Sequence, residues 1–186
     1  IAIPLVLIGL VFTIYALNIK GIRASRLLIQ AISPQEKGVP ENLAFFRRAI
    51  AASPIGRIEA REQLIQFALE AAGADADKVP PELKEEIVRV AEQEMIKMVE
   101  TMPRSARHFF FLGSFYRRIG RHDEAVKTFE RALELSPHKQ QIRFELGLTY
   151  LDGGDFEKAL AVLKVAHEDA PDYAEARMLY ALTAIY

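Results

Sequence analysis

Apolar residues follow two patterns along this chain. Residues 1–17, from Ile1 to Leu17, carry no charge at all. Beyond them the pattern turns periodic. Gly21 to Ile32 sets apolar side chains at helical spacing, with Arg23, Arg26 and Gln30 off that face. From Phe46 onward, small and large apolar residues recur three and four positions apart, and successive runs stop at Pro54, Pro103, Pro137 and Pro171. This period predicts helices rather than strands. Each proline predicts a helix end, because its ring blocks the next turn and it has no N–H to donate. The expected fold is therefore all-α.

The terminating prolines lie 49, 34 and 34 residues apart, and the 34-residue period extends to the side chains. Leu112, Gly113 and Tyr116 recur as Leu146, Gly147 and Tyr150, and Ala125, Ala132 and Pro137 recur as Ala159, Ala166 and Pro171. Phe129 is matched by Leu163. Small residues at Gly113 and Ala125 let paired helices approach closely, while Tyr116 and Phe129 fill the space between pairs. Ile119 to Asp123 and Asp152 to Asp155 read as turns, each with a glycine for the break and an aspartate available to cap the next helix. This pattern resembles the tetratricopeptide repeat. The resemblance implies an α-solenoid of helical hairpins whose common role is protein–protein interaction.

The phase continues upstream. Ala91 to Met98 mirrors Ala125 to Ala132, and Phe46 to Pro54 mirrors Phe129 to Pro137. The expected organisation is a membrane helix over residues 1–20 and two degenerate hairpins over 21–103, with a long loop near 71–83 that takes up the extra 15 residues of the first interval. Repeats over 104–137 and 138–171 follow, and residues 172–186 form a C-terminal capping helix.

The uncharged run falls just short of the roughly 20 apolar residues that span a bilayer, and it is expected to be the end of a transmembrane helix. Tyr15, Asn18 and Lys20 suit its interfacial end. A signal peptide would carry its basic residues before the apolar run, whereas Lys20, Arg23 and Arg26 follow it. A buried helix of a soluble core is the competing assignment. The same three basic residues favour the cytoplasmic side for the repeats.

Residues 15–64 add a second likeness. Tyr15 to Lys20, Arg23 to Arg26, Asn42 to Ala49 and Ser53 to Leu64, between an apolar span and the repeats, resemble the C-terminal region of bacterial polytopic membrane proteins of the O-antigen ligase and polymerase group. That resemblance implies a parent protein handling lipid-linked glycans at the bacterial inner membrane. The group's catalytic arginine and histidine residues lie in a loop outside the stretch matched here, so it implies no catalytic residue in this chain. A single-span scaffold unrelated to glycan transfer is the alternative.

Composition narrows the chemistry. The 24 basic and 25 acidic residues nearly cancel, giving no field for nucleic acid, and the absence of cysteine excludes disulfides and thiolate chemistry. The four histidines are scattered, Asp75 and Asp77 lack the glycine and distal glutamate of a calcium loop, and no phosphate-binding glycine loop occurs. No metal, cofactor or catalytic residue is expected. The candidate site is instead a concave groove for a protein or peptide segment. It would be formed by Arg107, Phe110, Ser114, Arg117 and Arg118 in one repeat, Gln141, Phe144, Leu148 and Leu151 in the next, and Met178 and Leu182 in the last helix. The competing arrangement is a groove already filled by the final helix or the upstream loop.

Overall fold

The structure, a computed structural model, describes residues 2–15, 19–73, 79–169 and 174–183, and in these every side chain except Ala2, Glu175, Ala176 and Leu182. Ten helices and no strand occur among the described residues. They fall into two compact units, residues 1–94 and 95–186.

The first unit opens with α1 (Ala2–Ile14) and α2 (Lys20–Ile32), followed by α3 (Val39–Ala52), α4 (Arg57–Ala72) and the first two-thirds of α5 (Pro81–Thr101). Helices α2, α3 and α4 pack on one another. Ala24, Leu27 and Ala31 of α2 are buried, as are Leu43, Phe46 and Ala49 of α3 and Ala60, Leu64 and Ala68 of α4. Alanine at alternate helical contacts brings the axes close, and Phe46 fills the remaining space, with its ring 5.2 Å from that of Phe67. The α2–α3 turn is stapled by Asn42, whose buried amide donates to the carbonyls of Ala31 and Ser33, both at 2.7 Å. These are carbonyls that the end of α2 leaves without an intrahelical partner. Helix α5 is tied back by Arg61 to Glu94 at 2.9 Å and by the more exposed Arg47 to Glu86 at 2.6 Å.

Helix α1 differs from the expected span. It has 13 residues, about 20 Å of rise against a hydrocarbon core of about 30 Å. Among the described residues no helix is long and apolar enough to cross a membrane. Residues 1 and 16–18, which complete the predicted segment, lie outside the described residues. The expected loop near 71–83 is narrower at both ends, since α4 runs through Ala72 and α5 starts at Pro81. Residues 74–78 lie outside the described residues. The longer first interval is thus partly helix, with 16 residues in α4 and 21 in α5.

The second unit holds the end of α5 and then α6 (Ala106–Arg118), α7 (His122–Leu135), α8 (Gln140–Asp152), α9 (Phe156–Asp169) and α10 (Ala174–Thr183). Each helix from α6 to α10 packs on the next. Pro54, Pro103 and Pro137 each stand two positions past the last helical residue, after Ala52, Thr101 and Leu135. Pro171 lies outside the described residues. The two inter-helix turns repeat in detail. Gly120 and Gly154 both take φ of +79°. Arg121 N–H reaches back to Tyr116 C=O and Asp155 N–H to Tyr150 C=O, each at 2.8 Å, closing the same left-handed helix end twice.

Candidate functional site

The repeat residues first make the close packing from which the groove is built. A Cβ added to Gly113 would stand 2.9 Å from the Phe129 ring, and one added to Gly147 would stand 2.7 Å from Leu163. Helix α6 therefore lies directly on the large residue of α7, and α8 on that of α9. Phe129, Ala132, Leu163 and Ala166 are fully buried as a result.

That packing decides which of the expected groove residues are accessible. Phe110 is half-buried, edge-on to Phe111 at 6.0 Å and to Phe129 at 5.9 Å. Arg107 is exposed, with its guanidinium 5.2 Å above the Phe111 ring. Both line a cavity of about 440 Å³ together with Ala106, Phe111, Ser136, Lys139, Gln141 and Ile142. Three of the eleven expected residues, Arg107, Phe110 and Gln141, thus share this cavity. Ser114, Leu148 and Leu151 are half-buried and Arg118 is exposed, none of them lining it.

Other expected residues have different work. Phe144 is 7% exposed and packs with Leu163, under cover of Leu151 and of Leu179 and Tyr180 from α10. It belongs to the core because the capping helix lies over it, and the His167 ring stacks on Tyr180 at 5.6 Å in the same layer. Arg117 reaches across from α6 to α8, contacting Glu145 at 3.0 Å and Asp152 at 2.8 Å. Burial pulls its pKa down, but the hydrogen bonds and charges of Asp152 and Glu145 outweigh it and hold the guanidinium above its usual value. Arg117 therefore clamps two repeats and is not a free cation for a partner. Met178 is 56% exposed on α10, and the Leu182 side chain lies outside the described residues.

The cavity has a distinct chemistry. Its floor is Phe110, Phe111 and Ile142, and its rim carries Arg107 and Lys139 but no carboxylate. The first turns of α6 and α8 open at its edge, and neither carries an acidic residue. Two helix N-termini add partial positive charge to the two basic side chains. An aromatic floor under a positive rim suits a segment that offers an apolar anchor beside a carboxylate. Lys139 and Phe111 were not expected at the site. Lys139 sits in the turn before α8, so only the return of the chain brings it to Arg107. Among the described residues no group of histidine and carboxylate side chains could hold a metal ion.

Two family models match the chain, each described as a tetratricopeptide repeat, over residues 88–140 and 119–183. They do not reach residues 15–64, where the likeness to the ligase group lies. No curated protein matches the chain. Solved structures share the fold. A thermophilic tetratricopeptide-repeat protein of Thermus thermophilus has a TM-score of 0.55 at 22% identity, with 89% of this chain and 100% of that one covered. YrrB, described as a tetratricopeptide-repeat protein with an unusual peptide-binding site, has a TM-score of 0.53 at 21% identity, over 79% of this chain and 66% of that one. The Yersinia enterocolitica type III secretion chaperone SycD, solved with a peptide of the translocator YopD, has a TM-score of 0.50 at 15% identity, over 68% and 94%.

Proposed function

We propose that this chain, whose residues 88–183 carry tetratricopeptide repeats, is an interaction scaffold that holds an acidic, aromatic-anchored segment of a protein partner between α6 and α8. The cavity of about 440 Å³ with Arg107 and Lys139 on its rim carries this reading. YrrB, described as having a peptide-binding site, and SycD, solved with a peptide, supply the analogy for a peptide ligand on such a fold.

Attachment to a membrane is the second part of the reading, and α1 supports it. Ile3, Val6, Ile8 and Phe12 are 66–75% exposed although they point to different sides of the helix. A helix apolar all round needs an apolar phase rather than one groove. The narrower form, a scaffold serving a glycan-assembly enzyme at the bacterial inner membrane with the repeats on the cytoplasmic side, rests on the sequence of residues 15–64 and on Lys20, Arg23 and Arg26.

Pull-down from a detergent extract tests the groove. Arg107→Glu/Lys139→Glu changes two exposed side chains and leaves the core intact. Like-charge juxtaposition at an interface costs several kcal/mol, so recovery of the partners bound by the wild type should fall by more than about ten-fold. Unchanged recovery would remove the cavity from the binding site.

A further inference from the structure

A second cavity, of about 370 Å³, lies between the start of α2 and the end of α3, lined by Tyr15, Ile19, Lys20, Arg23, Leu27 and Arg48, with no acidic residue among the residues that line it. Among the described residues, none of its three cations is ion-paired. Elsewhere in the same unit carboxylates are supplied: Arg47, one position before Arg48, pairs with Glu86, and Arg61 pairs with Glu94. Arg48 lies 5.2 Å above the Phe45 ring, which leaves the N–H edges of its planar guanidinium available.

The surroundings of the pocket are apolar. The face of α2 turned away from its buried Ala24, Leu27 and Ala31 exposes Ile22 at 54% and Ile29 at 60%. Ile55, 48% exposed, approaches α2 at Gly21. The uncharged α1 precedes them in the chain. A ligand here must carry negative charge to match the three cations and be continuous with an apolar phase.

We propose that this pocket binds the phosphate of an anionic membrane lipid, with Arg23 and Arg48 as its hydrogen-bonding forks and Lys20 as a point charge. The proposal rests on α1 being inserted in lipid. It adds a built headgroup site to what would otherwise be an apolar anchor alone.

Flotation of the full chain, diluted from detergent onto vesicles, tests it. On vesicles containing phosphatidylglycerol, each basic residue removed lowers partitioning about five-fold, so Arg23→Gln/Arg48→Gln should lose about 25-fold there and nothing on pure phosphatidylcholine. Lys37→Gln/Arg89→Gln removes the same charge from exposed sites outside the pocket. An equal loss in that variant would mean diffuse attraction and would overturn the pocket. Leu7→Asp/Val11→Asp should abolish flotation on both vesicle types. If it does not, or if the wild type fails to float, the insertion of α1 is wrong. The pocket is then judged by titration with soluble dihexanoylphosphatidylglycerol followed by NMR, where saturable binding lost in Arg23→Gln/Arg48→Gln sustains the phosphate site and no binding overturns it. Inorganic phosphate binding as tightly as the short-chain lipid would make free phosphate the ligand and end the lipid assignment.

Discussion

Gly147 and Leu163 occupy space that has no margin. Alanine is a better helix former than glycine by about 1 kcal/mol, so substitution in mid-helix ordinarily stabilises. Here the new methyl would sit 2.7 Å from both Leu163 Cγ and Cδ2, a branch point rather than a flexible tip. Overpacking of this kind costs about 1–3 kcal/mol. The expected outcome for Gly147→Ala is a net loss of up to about 2 kcal/mol in urea unfolding. Leu163→Ala alone removes a fully buried side chain and should cost about 2–5 kcal/mol, but combined with Gly147→Ala the loss should be less than the sum of the two, because the residues share one volume. A stabilised single variant would mean that α8 and α9 are not in contact at this point. Arg117 shows the same lesson for polar residues. It was expected to be part of the groove on helical spacing alone, but its guanidinium is taken by Glu145 and Asp152.

Helix starts and stops are the next level, and the two repeats differ at one of them. Asp155 accepts a hydrogen bond from the Lys158 backbone N–H at 3.2 Å and pairs with the Lys158 ammonium at 2.7 Å, so it caps α9 as anticipated. Asp123 does not play that part: α7 begins at His122, and Arg121 instead holds Glu124 at 2.7 Å. The hydrogen bond with the Lys158 side chain, and then that with its backbone, hold the Asp155 carboxyl below the usual carboxylate range. A lowered folded-state pKa contributes stability above the unfolded-state pKa of about 3.9, and that contribution is lost as pH falls through the folded-state value. The difference in thermal midpoint between wild type and Asp155→Asn should therefore be constant above about pH 5 and shrink below pH ~4. Asparagine keeps a capping oxygen, so the comparison isolates the charge. A difference that stayed flat down to pH ~2 would exclude the ion pair as its source.

In the second unit most contacts run from each helix to its sequence neighbours, with a lesser one between α6 and α8, as expected of repeats that shield one another's apolar faces. A local defect should then stay local. In hydrogen-exchange mass spectrometry, Gly147→Ala should lower protection of α8 and α9 and their neighbours α7 and α10, while α2 to α4 in the first unit exchange as in the wild type. Loss of protection throughout would show a single cooperative body. The final helix matters at this scale too. By covering Phe144 through Leu179 and Tyr180, α10 fills one end of the expected groove and leaves the end at Arg107 and Phe110 open.

Periodicity alone was enough to specify helices, the stops at Pro54, Pro103 and Pro137, the paired turns at Gly120 and Gly154, and a close helix approach at Gly113; it set Phe129 between hairpins, whereas the ring lies against Gly113 within one. These depend on local backbone preference and on a spacing that repeats. The sequence also singled out Arg107, Phe110 and Gln141. It could not separate them from Arg117 and Phe144, which share the same helical face. That distinction depends on what lies opposite, namely Glu145 and Asp152 across the helix pair and α10 over Phe144. Lys139 and Arg48 enter their cavities for the same reason. Each is brought beside cations distant in sequence by the return of the chain, and only packing in three dimensions determines whether a side chain is left facing solvent, a partner or its own core.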